Sequence, residues 1–396
     1  MVCLKKYFGD GLLFSTFQYY SIVVLYILGF VSIKHFDNPY FTIWFIYSLV
    51  PFLDEILSMD LRNPTKGESK MMETDLRFKL PLYITLFVDW LFTIYLLNYV
   101  STNKELSLFK FVGCLILAGN FAAVNINISH ELMHKNNKLD QFLGMLTLSK
   151  NLYMHFFIEH VHGHHKNVAT PRDPATARYG QTLYEFIPQT IIGSLKSAWH
   201  LEANRMLEIK KFKSVWVPQN RMLCFGINNI ILPFIVYKIW GFNAFVFYVG
   251  TTVGGILQLE MINYIEHYGL LRKEISSGVY EKVNISHSWN AQHRISNYFL
   301  FKLQRHSDHH ENGYKPYQIL SSFEESPQLP HGYLVCMLIA TVPSLWFKIM
   351  NEIVVNYNLK KEISKETRAM IHREIIRFIV LVFLISFCLM FLGFSN

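Results

Sequence analysis

The sequence has few cysteines and few charged residues for a chain of 396 residues. Its five cysteines, Cys3, Cys114, Cys224, Cys336 and Cys388, form no CxxC pair. This spacing argues against a four-cysteine iron site, a zinc ribbon or a disulfide framework within the chain. Charged residues make up only 17% of the chain, whereas hydrophobic residues make up 51% and the mean hydropathy is +0.21. Because a soluble protein of this length is normally less apolar, the composition predicts a membrane protein.

The N-terminus lacks the small-residue cleavage site of a signal peptide, although Lys5 and Lys6 precede an apolar run. We therefore expect an uncleaved membrane anchor there. The chain also has no internal repeat and no recognisable flavin or nicotinamide motif. The net charge of +8 does not indicate nucleic-acid binding, because the basic residues lie in loops beside the apolar runs. In that position they act as topology signals and contact anionic lipid headgroups.

Seven apolar runs are candidates for membrane segments, since a spanning helix needs about 20 apolar residues. Six of them are predicted to span the membrane, at 14–33, 40–59, 80–100, 106–128, 222–240 and 243–264. The last two are joined by very few residues and therefore predict a helical hairpin. The seventh run, 378–394, is short for a span and can instead be a hairpin or an interfacial anchor.

The loop between the second and third predicted helices is rich in basic residues. These are Arg62, Lys66, Lys70, Arg77 and Lys79. The loops on either side carry only Lys34 and Lys104, and basic loops stay on the cytoplasmic side of a membrane. Counting from this loop, residues 129–221 and those after 265 are predicted to be cytoplasmic, so all histidine clusters fall on one side.

Eight of the 17 histidines fall into three compact clusters. The clusters contain His130 and His134, then His160, His164 and His165, and finally His306, His309 and His310. On a helix, residues three or four apart share a face and can bind one ion together, whereas neighbouring residues point about 100° apart. The adjacent histidines can therefore serve different metals, and the spacing predicts two nearby metal ions rather than one.

Imidazole nitrogen suits iron, zinc and copper, and eight or more such ligands are too many for one ion but sufficient for two. Because imidazole ligands are neutral, the charge of two divalent ions is left uncompensated, and we expect carboxylates to hydrogen-bond to the ligands. Four candidates for this role are each next to a histidine in the sequence. They are Glu131, Glu159, Glu266 and Asp308.

Some histidines are not expected to bind metal, because a lone histidine is more often a surface or core residue than a ligand. This applies to His35, His155, His200, His331 and His372. His162 is two residues from both His160 and His164, so on a helix it points away from them. We therefore do not expect His162 to be a ligand.

Two other functions compete for the clusters. His130 and His134 match the HExxH motif of zinc proteases, with Glu131 as general base. Such a site needs only one further ligand, so the six other clustered histidines would be idle. A metal transporter should have ionisable ligands within its spans, whereas these clusters lie at or beyond predicted helix ends.

The histidines are embedded in longer segments. These are HELMHK at 130–135, EHVHGHH at 159–165, NYIEHYGLLR at 263–272, HSWN at 287–290, LQRHSDHH at 303–310 and PQLPHGY at 327–333. They resemble the membrane fatty acid desaturase and hydroxylase superfamily, and within it the membrane-bound alkane 1-monooxygenase (alkane omega-hydroxylase) family, which includes xylene monooxygenase. PFLDEILSMDLRNP at 51–64 is a weaker match to the family's second-helix segment. The NYIEHYGL and LQRHSDHH segments are the most specific, because they separate this family from ordinary desaturases.

The resemblance implies an all-α integral membrane protein with about six transmembrane helices and a cytoplasmic, histidine-rich cap that holds a di-iron site. It adds His267 as a ninth ligand, which spacing alone does not indicate. It implies a non-haem monooxygenase with two iron ions that hydroxylates the terminal carbon of a medium- or long-chain alkane or related hydrocarbon chain. The substrate would reach the metals through an apolar channel among the helices.

The implied electron source is a rubredoxin- or ferredoxin-type protein, and it must be a separate partner because the chain contains no such domain. The main alternative within the superfamily is a fatty-acyl or lipid desaturase or hydroxylase that uses the same two irons. A hydroxylase gives an alcohol or epoxide and a desaturase gives an alkene, so the product separates them.

Two departures from the family pattern concern the cluster and the C-terminus. His162 stands where the family more often has arginine. Residues after 355 have no recognisable counterpart, so we divide the chain into a hydroxylase domain, 1–355, and a tail, 356–396. The tail carries the apolar anchor 378–394.

A third departure is Glu55, which stands where relatives carry an apolar or small residue that faces the channel. It lies next to Asp54 near the end of the second predicted helix. One hypothesis is that Glu55 closes the substrate channel with a polar wall. The other is that it lies in water or pairs with a basic loop residue such as Arg62.

Overall fold

The structure, a computed structural model, describes residues 16–395 and is predominantly helical. In chain order the α-helices are α1 (Ser21–Lys34), α2 (Tyr40–Trp44), α3 (Val50–Ile56), α4 (Lys66–Glu73), α5 (Leu76–Thr102), α6 (Leu108–Met133), α7 (Lys138–Lys150), α8 (His155–Glu159), α9 (His165–Asn167), α10 (Leu183–Asn204), α11 (Arg221–His267), α12 (Arg294–Phe299), α13 (His306–Glu311), α14 (Tyr333–Ala340), α15 (Pro343–Asn358) and α16 (Lys365–Ser395). The helical architecture predicted from the sequence is confirmed. The expected N-terminal anchor at Lys5 and Lys6 lies outside the described residues.

Shorter elements complete the fold. Three π-helical turns lie at Phe45–Leu49, His160–His164 and Arg205–Ile209, and two 3-10 turns at Gln18–Tyr20 and Tyr317–Ile319. After α11, the strands β1 (Glu274–Ser276) and β2 (Val279–Tyr280) pair antiparallel.

In the part of the chain that the structure describes, four helices are long and apolar enough to cross a membrane: α5, α6, α11 and α16. α5 and α6 correspond to the predicted spans 80–100 and 106–128. α11 contains both predicted arms of the hairpin and is broken between them at Gly241, whose φ of 82° is not helical. Large apolar side chains on these helices face outward, such as Ile230 at 73% and Phe391 at 54% exposure. This is the surface expected of helices that contact lipid.

Three predicted segments differ from expectation. In the described residues the run 14–33 is a 3-10 turn followed by α1, which together form the apolar helix Gln18–Lys34, shorter than a full span; residues 14 and 15 lie outside the described part. The run 40–59 is helical only as far as Ile56 and consists of α2, a π-helical turn and α3. Pro51, near the start of α3, cannot donate a backbone hydrogen bond. By contrast, the run 378–394 is part of α16, which has 31 residues and is long enough for a span.

α6 lies at the centre of the helices. In its most apolar stretch 72% of the residues are buried, against 22% for α11. The two helices approach closely, because a Cβ on Gly119 would lie 3.5 Å from Gly254 Cα and a Cβ on Gly255 only 2.7 Å from that of Ala122. This contact carries the C-terminal ends of both helices to the same place.

α16 packs against the helical segment that follows residue 38. Asn38 Nδ2 donates to the carbonyl oxygen of Met390 at 2.8 Å, and the hydroxyl groups of Ser48 and Ser386 are 2.6 Å apart. Nearer its start, α16 contributes Ile375 to the buried cluster around α14 and α15. Both halves of α16 are therefore fixed to the rest of the molecule.

Candidate metal centre

Nine histidines come together where α6 and α11 end, and they form two adjacent groups. The first group contains His130, His134, His160, His165 and His309, and the second contains His164, His267, His306 and His310. Within each group, one ring nitrogen from every histidine lies within 4.8 Å of all the others. The groups touch, since the ring centroids of His165 and His310 are 4.5 Å apart. The eight clustered histidines and His267 are thus all brought to one place.

The helix geometry explains most of this division. Histidines that are four residues apart in the first and third clusters share a group. The adjacent histidines at 164–165 and 309–310 are divided between the two groups, as their angular separation on a helix requires.

The second cluster departs from the spacing argument. His160 and His164 are four residues apart but lie in different groups, whereas His160 and His165 share a group and their Nε2 atoms are 3.1 Å apart. The reason is the π-helical turn at His160–His164, in which hydrogen bonds join residues five apart and place them on one face. Periodic spacing of 3.6 residues could not predict this turn.

Many ring nitrogens of these histidines are buried and have no hydrogen-bond partner among the described residues. They are Nε2 of His130, His134 and His164, both nitrogens of His267, and Nδ1 of His306 and His310. Buried polar atoms are nearly always paired, so this concentration indicates a partner that accepts several nitrogen lone pairs. Metal ions fit this donor set, because imidazole is a common ligand of iron, zinc and copper.

The buried imidazoles also have the protonation state that metal binding needs. Burial first, and the neighbouring histidines second, hold the pKa values of His165, His309 and His310 well below the usual range for histidine. Their rings are therefore neutral near pH 7, and each has a nitrogen lone pair free for a metal.

Asp173 orients one of the histidines. Its Oδ2 lies 2.9 Å from His164 Nδ1, and both side chains are almost fully buried. Burial alone would lower the pKa of His164, but the adjacent Asp173 raises it. A proton held on Nδ1 leaves Nε2 of His164 free to face the metal. Sequence analysis missed Asp173, because it lies nine residues from His164, in a loop, at no helical spacing.

Two of the four expected carboxylates lie beside the histidine groups. Glu266 Oε2 is 3.1 Å from His306 Nε2. Glu159 is buried next to His164, and burial first, with Asp173 second, raises its pKa to about 8. Gly163 makes room for Glu159, since a Cβ there would lie 2.6 Å from Oε1 of that carboxyl group.

The other two carboxylates pair with lysines rather than with imidazoles. Glu131 Oε1 is 2.6 Å from Lys135 Nζ. Asp308 pairs with Lys315 and also accepts a hydrogen bond from the backbone N–H of Ser321 at 2.6 Å. Asp308 therefore holds the loop that follows α13 against the histidine-bearing helix.

The histidines that were not expected to bind metal all lie outside the two groups. His162 is exposed, and so are His35 and His200. His155 is buried with its ring centroid 4.4 Å from that of Tyr153. His331 stacks on His293, and His372 lies on α16.

Glu55 and Asp54 point in different directions, as expected of adjacent helical residues. Asp54 is buried and caps α12, accepting hydrogen bonds from the backbone of Ile295 at 2.8 Å and from Ser296. Glu55 lies 3.4 Å from His331 and 3.8 Å from His372, whereas Arg62 pairs with Glu68 instead.

An apolar cavity leads to the histidines. It has a volume of about 100 Å³ and lies between α1, the π-helical turn at Phe45–Leu49, α3, α6, α11, α12 and α14. A second cavity adjoins it, shares Ala123, Asn127 and Ile262 as lining residues, and reaches His130 and His306. Among the described residues, those that line the two cavities do not include Glu55.

Comparison with known proteins identifies relatives of this chain. Residues 106–340 match the family model described as fatty acid desaturase. The alkane 1-monooxygenase of Acinetobacter baylyi is 38% identical over 327 residues, which are 81% of this chain and 78% of the relative. The alkane 1-monooxygenase 2 of Alcanivorax borkumensis is 35% identical over 83% of this chain and 87% of the relative. The xylene/toluene monooxygenase hydroxylase component XylM of Pseudomonas putida is 28% identical, with 85% and 88% covered.

The matched segment contains all nine grouped histidines, and the identity extends over most of both chains. A zinc protease has three protein ligands at its metal, whereas the HExxH histidines here share a group with three more. The relatives and the histidine groups therefore agree with the family inferred from the sequence motifs. The chain belongs to the fatty acid desaturase family and, within it, to the alkane 1-monooxygenases, and it is an oxidoreductase.

Proposed function

We propose that this protein is a membrane-embedded, non-haem di-iron monooxygenase that hydroxylates the terminal carbon of a medium- or long-chain alkane or related hydrocarbon chain. The observation that carries the proposal is the apolar cavity that leads to both histidine groups. A histidine-bound metal pair at the end of an apolar cavity suits a substrate that is dissolved in the bilayer.

The proposed topology has about six transmembrane helices, with the histidine-rich segments on the cytoplasmic side. Support comes from the basic loop before α5 and from the four long apolar helices of the described chain. α1 and the segment from Tyr40 to Ile56 would complete the six, while α16 would add a further membrane helix.

The two groups would each hold one iron ion, with five histidines at the first and four at the second. When bound, the two irons supply the electrons and the site at which O2 is reduced and a C–H bond is replaced by C–OH. In this reaction one oxygen atom enters the product and the other leaves as water, which consumes two electrons and two protons. The protein's own side chains provide the geometry.

Two carboxylates hold the histidines in position. Asp173 accepts a hydrogen bond from the Nδ1–H group of His164, which fixes the orientation of that ring. Glu266 lies against His306 and supplies a negative charge beside the second group. Both carboxylates are buried, so their hydrogen bonds are not weakened by exchange with solvent.

The lining of the second cavity keeps water from the reacting carbon. Phe156, Leu259 and Ile262 lie between the larger cavity and the histidines. A narrow apolar passage admits a chain end more readily than a bent chain middle, which would give terminal selectivity. It also prevents loss of the oxidant to water.

Electrons would enter on the opposite, solvent-facing side. His134 and His165 are only partly buried, and a Cβ on Gly313 would lie 3.1 Å from the His165 ring. The loop after α13 therefore covers this edge, with Tyr314 75% exposed, and Lys166, the residue after His165, is exposed as well. We propose that a rubredoxin- or ferredoxin-type protein with an acidic surface delivers electrons here.

Purification with metal analysis and product analysis tests the proposal. We expect close to two irons per chain, and terminal alcohols from alkanes when O2 and a reduced donor protein are supplied. One zinc and no iron would contradict the di-iron assignment. Alkenes in place of alcohols would identify a desaturase that uses the same site.

The ligand assignment has a matched pair of variants within one cluster. His165→Ala should lower the iron content by about one ion per chain and abolish turnover, because it removes a member of the first group. His162→Ala should keep both, because His162 is exposed and outside the groups. Equal losses in the two variants would overturn the assignment.

A further inference from the structure

Gln258 is a polar side chain in the middle of an apolar helix. It lies on α11 and lines the larger cavity. Among the described residues, no group hydrogen-bonds to its side-chain amide. An amide without a hydrogen-bond partner is unfavourable in an apolar environment. Its position therefore indicates a polar group inside the cavity.

A second amide lies beside Gln258. Asn120 on α6 also lines the cavity, and Gln258 Nε2 would be 3.6 Å from a Cβ on Gly119, the residue before Asn120. Asn120 is held in place by Tyr47, whose hydroxyl donates to Oδ1 at 2.6 Å, and by its own donation to Ile116. The two amides thus mark one polar spot in the cavity wall.

The other polar residues of the lining are already engaged. Ser296 donates to Asp54, Asn127 donates to the Leu300 carbonyl oxygen at 2.9 Å, and Tyr333 donates to a backbone carbonyl. Gln258 is therefore the lining residue whose amide is available to a ligand, as far as the described chain shows.

The polar spot lies far from the metals. Asn120 is ten residues before His130 on α6, and Gln258 is nine residues before His267 on α11. At the rise of an α-helix these separations are about 15 and 14 Å. An extended chain of single bonds advances about 3.5 Å for every three bonds. A chain of about a dozen bonds therefore spans the distance from the two amides to the histidines.

We propose that Gln258, with Asn120 beside it, binds the hydroxyl group at one end of a chain of about twelve carbons while the other end lies at the histidines. The natural substrate class would then be medium-chain primary alcohols, and the product an α,ω-diol. This inference rests on the proposed function and names its substrate. The reaction is the same, with O2, two electrons from the reduced iron–sulfur or rubredoxin-type donor and two protons giving C–OH and water.

A hydroxyl group fits this spot better than a carboxylate. An amide both donates and accepts hydrogen bonds, as a hydroxyl does. No lysine, arginine or histidine lines the larger cavity within the described residues, so an ionised carboxylate would lack a counter-charge there.

The test measures binding as well as catalysis, with the metal-loaded protein in lipid nanodiscs. The ligands are dodecane, 1-dodecanol and 6-dodecanol, whose hydroxyl group cannot reach Gln258 when a chain end is at the histidines. Apparent dissociation constants come from the dependence of the thermal unfolding midpoint on ligand concentration. We expect 1-dodecanol to bind roughly three- to tenfold more tightly than 6-dodecanol, the effect of one hydrogen bond.

Gln258→Met preserves the side-chain volume and removes the amide. It should abolish the preference for 1-dodecanol while dodecane binds as before, which shows that the variant is folded. Gln219→Met, in an exposed loop, is the matched control and should retain the preference. The wild-type protein should also convert 1-dodecanol to 1,12-dodecanediol faster than Gln258→Met does.

The outcomes separate this inference from the proposed function. Terminal hydroxylation of dodecane without discrimination between the two alcohols would overturn the hydroxyl site and leave the monooxygenase standing. Discrimination between the alcohols without any hydroxylated product would overturn the monooxygenase function and support the hydroxyl site. An undiminished preference in Gln258→Met would also rule out the site.

Discussion

Asp89 and Lys150 form a buried ion pair between α5 and the end of α7. Their side chains are only 3% and 5% exposed. Tyr26 donates to Asp89 at 3.0 Å, and Thr93 lies 3.2 Å from Lys150 Nζ. Within an apolar helix such charges are tolerated only when they are paired.

We expect Lys150→Met to destabilise the protein by about 3–5 kcal/mol, because Asp89 would remain as a buried charge without a cation. The double variant Asp89→Asn, Lys150→Met should regain most of that loss. Lys104→Met, in an exposed loop, is the control. Thermal unfolding of the four proteins measures the difference, and a double variant no better than the single one would contradict this account.

At the scale of residues, the sequence predicted much of the candidate site. The spacing of the histidines identified eight candidate metal ligands, and the family resemblance added His267. Asp173 was missed because its contact with His164 depends on how a loop returns to a helix. The grouping of His160 with His165 was missed because a π-helical turn leaves no periodic signal. The role of the nine histidines as iron ligands stays a prediction.

At the scale of elements, the crossing of α6 and α11 determines where the histidines meet. Gly255→Ala should destabilise the protein by roughly 1–3 kcal/mol, because the new methyl group would overlap Ala122 and separate the helices. The unfolding midpoint and iron content should both fall.

The same helix offers a matched control. Gly226 has no atom within 4 Å of a Cβ placed on it. Gly226→Ala should therefore be neutral or stabilising by up to about 1 kcal/mol, as expected for glycine replacement in a helix. If both alanine variants behave alike, close approach at Gly255 does not position the site.

Long helices were predicted more accurately than short ones. α5, α6 and the broken α11 contain continuous apolar runs with clear ends. The local composition is therefore sufficient to predict these helices. The segment 40–59 was predicted as one helix, and it is helical from Tyr40 to Ile56, but the π-helical turn inside it was not predicted because such local distortions depend on packing. α16 begins earlier than its apolar run, because its polar first turns precede that run. The boundary between 1–355 and 356–396 stays a prediction.

At the scale of the whole molecule, the histidine groups connect segments that are distant in the chain. α6, α11, α13 and the turn at 160–164 all contribute to them. Removing metal with a chelator should lower stability by about 4 kcal/mol if free metal was about 1,000 times its dissociation constant. Calorimetry should show a lower unfolding midpoint that Fe²⁺ restores and Mg²⁺ does not. An unchanged midpoint would mean that metal does not connect these segments.

The donor-facing side predicts a dependence on salt. If an acidic donor docks near Lys166, turnover at limiting donor should fall as ionic strength rises, because salt screens the attraction. Lys166→Gln should raise the donor concentration needed for half-maximal rate and weaken the salt effect. Lys104→Gln, in the loop before α6, should change neither. Salt-independent turnover would place the donor elsewhere.

The hydrogen bond from Asn38 to Met390 joins residues 352 positions apart. It cannot form until the ribosome has synthesised α16, and at about 5–20 residues per second that takes roughly 20–70 seconds after Asn38. Throughout that interval the side chains of Asn38 and Ser48 lack their partners on α16, Met390 and Ser386. Biogenesis of this enzyme therefore includes the docking of α16, and a chain without α16 would expose to quality-control proteases the surface that this helix covers.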